Sequence, residues 1–195
     1  MTGPDFIQFV KKECRYYGIK PKLRNVKYLV EGGRCTGYFD ADNKVLACAM
    51  NNGVWISVLA HEYCHMRQWA EKAEPWMAAN ENDSTGKWWE WIKGVDIADI
   101  ENHINVVRDM ELDNEKRTVA LIKALDLPVD VREYTKKCNS YIMFYNYMKQ
   151  SRKWLNPAKQ PLENQRLLAA MPDKFSLNYS VLPKRLELIY REENI

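Results

Sequence analysis

Apolar residues first recur at helical spacing near the N-terminus, where Phe6, Phe9, Val10, Cys14 and Tyr17 follow Pro4 and Asp5 and precede Gly18; the pattern predicts a helix with a proline start and a glycine stop. From Val26 the period shortens. The β-branched and aromatic runs VKYLV and TGYF, the turn-rich DADN and the apolar KVLACAM predict two or three strands, with Tyr38 and Val45 flanking a hairpin turn. DADN has the opening residues of a calcium loop but lacks its glycine and terminal glutamate, so a turn is the reading.

After Asn51, Asn52 and Gly53, which can cap a helix, VWISVLAHEYCHMRQWAEKA runs without a break to Pro75, and its first half is apolar on nearly every side. That is the pattern of a central, buried helix. ANENDSTGK, residues 79–87, reads as a loop. WWEWI, residues 88–92, concentrates three of the seven tryptophans, read as core packing with a contact surface as the alternative. A second long helix is predicted from Asp99 to Leu125, ended by Pro128, and a third from Val129 to Tyr147 with Tyr134, Cys138, Tyr141, Ile142 and Tyr145 on its inner face. Beyond Lys149, Pro157, Pro161, Pro172 and Pro183 interrupt any long helix. The expected fold is α+β: a mainly helical, minimal domain with a small N-terminal sheet or hairpin, its core over about 1–150 and an irregular wrapping segment over 151–195, all one domain.

At 195 residues and 46% hydrophobic, the chain can bury one substantial core. A net charge of +3 from 29 basic and 26 acidic residues gives no reason to expect a nucleic-acid or membrane partner. The N-terminal residues have no leader pattern and no apolar run has the length of a membrane span, so a soluble, cytoplasmic protein is expected. Cys14, Cys35, Cys48, Cys64 and Cys138 form no CxxC pair, which fits reduced thiols and neither a disulfide framework nor a thiolate zinc ribbon.

The chemistry lies in LAHEYCHMRQW, which holds two of the three histidines. On a helix, His61 and His65 at i and i+4 share a face and can offer two imidazole nitrogens to one cation. Glu62, rotated by about 100° from His61, stands beside such an ion, where it can take a proton from water. Burying two imidazoles and a carboxylate in an apolar helix without a cation would cost several kcal/mol. A catalytic site of this kind needs a third protein ligand and an open position. The second long helix supplies it: its apolar stripe runs Ile97, Ile100, Ile104, Val107, then Glu111 and Glu115, then Val119 and Ile122. Two like-charged carboxylates at i and i+4 on a buried face repel each other unless a cation and its histidines compensate them. Glu111 is assigned as third ligand and Glu115 as the acceptor that fixes an imidazole tautomer. Glu115 itself, or His103 two turns before Glu111, remains an alternative ligand. Cys64 is assigned to packing.

HEYCH followed by ELDNE resembles the gluzincin metallopeptidases, whose second motif is a glutamate ligand followed four residues later by an acidic residue. In texture, LAHEYCHMRQW and MELDNEKRTVALIKALDLP are similar to small metallopeptidase-like proteins encoded by bacteriophages, over roughly residues 35–150. The resemblance implies a compact α+β fold with an edge strand bordering the cleft, an active-site helix, and a glutamate helix against it. It also implies Zn²⁺ as cofactor, a protein or peptide substrate, and, for a phage product, the host cytoplasm as location. Glu115 stands where many gluzincins carry Asp. The expected reaction is peptide hydrolysis with Glu62 as general base, the strand KVLACAM pairing with an extended substrate, and Tyr141 or Tyr145 as candidate oxyanion donors. Two other readings stay open: a non-catalytic, metal-stabilised binding module docking through the tryptophans, and a SprT-like protease for nucleic-acid-bound substrates, against which the charge balance counts.

Overall fold

Strand β5 (Val45–Ala49) is buried along its whole length. A strand of apolar residues covered on both faces belongs in the middle of a sheet. The computed structural model, which describes residues 1–30, 33–156 and 158–195, places it there. Strand β1 (Lys20–Arg24) pairs with it in parallel, Lys20 opposite Val45 and Arg24 opposite Ala49. On its other side β4 (Gly37–Asp40) runs antiparallel, Gly37 opposite Cys48 and Asp40 opposite Val45, giving the order β1-β5-β4. The hairpin turn falls at DADN: Asp40 Oδ1 accepts the Asn43 N–H at 2.8 Å, and Lys44 takes a left-handed φ of 51°.

Two expectations change here. The KVLACAM strand is the central strand, with partners on both sides, so it has no edge to offer an extended substrate; the outer strand β4 has that position. Strand β1 was not expected, because KPKLR carries three basic residues and a proline, a composition tolerated at a sheet edge and rare inside one. Of VKYLV, only Leu29–Val30 is strand, β2, pairing with β3 (Arg34–Cys35) in a separate two-stranded ribbon. Glu31 and Gly32 lie outside the described residues, as does Pro157.

The chain, expected as one domain, divides into two compact units: Met1–Ala73 with Asn114–Asp130, and Glu74–Asp113 with Val131–Ile195. In the first, helix α1 (Gly3–Tyr16) starts at Thr2, whose side chain accepts the Asp5 N–H, and buries Phe6, Val10 and Cys14. Helix α2 (Trp55–Glu71) packs on β4 and β5 and meets α1 through Phe9 and Tyr63, ring centres 5.4 Å apart, and through Cys14 Sγ and Met66 Sδ at 3.8 Å. Asn52 Oδ1 accepts the Val54 N–H at its start. Lys72, left-handed at φ 51°, ends it, the N–H groups of Lys72 and Ala73 returning to the carbonyls of Trp69 and Gln68.

In the second unit the segment expected as a loop, 79–87, is mostly helical: α3 (Glu74–Glu81) and α4 (Ser84–Ile92) are separated only by residues 82–83. Asp83, left-handed at φ 47°, accepts the Gly86 N–H and caps α4, so polar residues that read as loop supply a tight junction. Helix α5 (Ile100–Ala124) is continuous through both units, and α6 (Val131–Ser151) follows. The C-terminal segment is more regular than its prolines suggested. Pro161 opens a 3-10 turn and Pro183 caps α8 (Lys184–Glu193), positions where a missing N–H costs nothing. With α7 (Gln165–Ala170) these elements deliver Leu167, Leu186, Ile189 and Tyr190 to the unit's core. Trp88 is buried in that core, 4.9 Å from Trp154 between ring centres, in line with packing. The arrangement is mainly helical α+β, and no helix among the described residues is long and apolar enough to cross a membrane.

Candidate metal centre

The i, i+4 spacing on α2 brings the imidazoles of His61 and His65 edge to face, ring centres 4.7 Å apart, with their Nε2 atoms 3.1 Å from each other. The two Nδ1 atoms point elsewhere. His65 Nδ1 lies 2.9 Å from Gln68 Oε1, and His61 Nδ1 lies 3.2 Å from Glu115 Oε1 on α5. Both of those oxygens are acceptors, so a proton at Nδ1 satisfies each contact and leaves a lone pair at Nε2. Two lone pairs directed at one point repel each other, and a cation at that point turns repulsion into ligation. Asn114 Nδ2 donates to the His61 carbonyl at 3.3 Å and lies 3.1 Å from Nδ1 of the same residue. An amide donor and a carboxylate thus compete at Nδ1; the charge-assisted bond to Glu115 is the stronger and sets the tautomer.

Glu111 completes the set. One ligand atom from each of His61, His65 and Glu111 lies within 4.8 Å of the other two, a group that can hold a metal ion. Its position follows from helix geometry: His61 meets α5 at Asn114 and Glu115, and Glu111 precedes Glu115 by one turn on the same face. Glu115 is 5% exposed, approaches His61 at Nδ1 and not at Nε2, and is not one of the His61, His65 and Glu111 group. Glu62 and His65 are each 8% exposed, while the His61 side chain keeps 21% of its surface open.

His103 is placed elsewhere. It is buried in the second unit, where its Nδ1 and Ser84 Oγ are 3.0 Å apart, and it does not belong to the His61, His65, Glu111 group. Burial pushes the Cys64 thiol up to about 12, which keeps it protonated and suits a packing role. Tyr145 is buried with its hydroxyl 3.1 Å from that of Tyr141. Residue reading missed Gln68. The available signal was an amide three residues after a histidine on a helix otherwise apolar around it, a spacing that puts both on one face.

The outer strand β4 comes up against the HExxH turn. A Cβ at Gly37 would lie 2.7 Å from Val58 Cγ1, 2.9 Å from Glu62 Cγ and 3.0 Å from Glu62 Oε1. Glycine is therefore needed for close approach, and the strand backbone confines the Glu62 side chain from one side. Gly37→Ala is expected to destabilise the protein by about 1–3 kcal/mol, the usual cost of overpacking, read as a lower urea midpoint. An unchanged midpoint would mean that the strand and helix separate without cost.

Comparison with known protein families, with curated proteins and with solved structures finds no match to this chain.

Proposed function

We propose that this chain is a zinc-dependent peptidase of the gluzincin type, acting on a protein or peptide substrate in a cytoplasmic setting. The observation that carries the reading is the convergence of the His61 and His65 Nε2 atoms, 3.1 Å apart, with a ligand atom of Glu111, on a helix that carries Glu62 next to His61 in the chain. Two imidazoles and a carboxylate suit Zn²⁺ better than the all-oxygen cations calcium and magnesium, and three protein ligands leave a position open for catalysis. When bound there, zinc supplies a Lewis acid that polarises a scissile carbonyl and makes water acidic near neutral pH.

The protein's own groups do the rest. His61, His65 and Glu111 hold the ion, and Glu115 keeps the His61 lone pair aimed at it. Glu62, confined by β4, takes the proton of the attacking water on its carboxylate and hands it to the leaving amine. Its low exposure limits competition from bulk solvent. The backbone of β4, adjacent to Glu62, is where an extended substrate would align.

The test is elemental mass spectrometry on purified protein together with cleavage of a broad panel of unfolded proteins, with and without chelator. About one zinc per chain and chelator-sensitive cleavage are expected. Zinc at that stoichiometry without cleavage of any substrate would instead favour a metal-stabilised binding module, and no zinc would overturn both.

A further inference from the structure

The two imidazoles are held by unlike acceptors. His61 Nδ1 meets a carboxylate reaching over from α5, whereas His65 Nδ1 meets a neutral amide on its own helix, Gln68 Oε1 at 2.9 Å. Gln68 is 0% exposed. Burying a primary amide costs about 1–3 kcal/mol unless it is hydrogen-bonded, so the residue is an expensive choice unless its oxygen has a use. Its main chain is fixed as well: the Gln68 carbonyl accepts the Ala73 N–H at 2.9 Å where α2 ends at left-handed Lys72. With the backbone pinned, only a side chain of this length spans the turn between position 68 and the ring of His65.

We infer that Gln68 is the positioning residue of the second histidine, holding His65 as the Nδ1–H tautomer so that Nε2 is free to ligate; the inference rests on the metal reading above. Charge explains why an amide serves at this position. Glu111 and Glu115 already bring two carboxylates to the imidazoles, and a third acidic side chain would add charge that a dication does not need. An amide accepts the N–H without adding charge. It also draws an acceptor for His65 from α2, the helix that carries the histidine.

The experiment is a zinc competition titration against a chromophoric chelator on the full chain, comparing wild type, Gln68→Met and Gln68→Glu, with nitrogen-detected histidine NMR on each zinc-free protein. Methionine keeps the length and removes the acceptor; glutamate keeps the acceptor. Gln68→Met is expected to bind zinc about 10- to 100-fold more weakly, the range for losing a partner behind a ligand, and to lose the Nδ1–H signature of His65. Gln68→Glu is expected to regain most of the affinity and the signature, a rescue that packing alone would not give. Equal zinc affinity in wild type and Gln68→Met overturns the inference while leaving the metal centre intact. Wild-type protein that takes up no zinc overturns the metal reading itself, and this inference with it.

Discussion

Glu111→Ala is expected to lower zinc affinity by more than Glu115→Ala does, and both effects follow from where the two carboxylates stand. Glu115 acts through His61, and losing such a partner costs about 10- to 100-fold. Glu111 belongs to the ligand group itself, so its loss leaves two imidazoles and exceeds that range. Stability separates this from unfolding. Zinc at 100 times its dissociation constant adds about 2.7 kcal/mol to the folded state, which wild type should show as a higher melting temperature and Glu111→Ala should lack at the same concentration. Zinc-free melting temperatures of variant and wild type, measured side by side, give the effect of the substitution on the fold itself. If the zinc-free variant unfolds more easily, and zinc still raises its melting temperature by the wild-type amount, Glu111 is structural and the third ligand is another residue.

The fold class and the grouping of His61, His65 and Glu111 were both legible in the sequence, for a physical reason. His61, Glu62 and His65 depend only on helical periodicity, which local sequence declares. Glu111 and Glu115 stood out because they interrupt an apolar stripe, and burial of charge needs a cause. His103 could not be separated from Glu111 by spacing alone, because both fit a helix of unknown rotation; its bond to Ser84 is a tertiary fact. Gln68 went unnoticed because glutamine is an ordinary helix residue, and only its burial gives it meaning. In the fold, α1, α2, α5 and α6 were readable from their apolar period. β1 was hidden by its lysines and proline, and with it the central place of β5. The α3 and α4 junction was hidden because Asp83 works as a cap through a backbone conformation that composition does not announce. The ten residues of α8 were masked by a proline that starts the helix instead of breaking it.

Glu62→Gln is expected to remove cleavage while leaving zinc bound, and the surroundings of Glu62 make the substitution unusually clean. The amide has the shape of the carboxylate, so it fits the narrow space against Gly37 of β4 without the clash that a larger side chain would cause. It is not one of the three residues whose ligand atoms converge, so zinc content should stay near one per chain. What it loses is the ability to take a proton, a contribution of about 10²- to 10⁴-fold for a positioned general base. A zinc-free Glu62→Gln protein that melts at the wild-type temperature shows that the fold is kept. Loss of cleavage then cannot be ascribed to unfolding. Retained cleavage in a zinc-loaded Glu62→Gln protein would mean that the proton is moved by another group, and the role of HExxH here would shrink to that of a metal clamp.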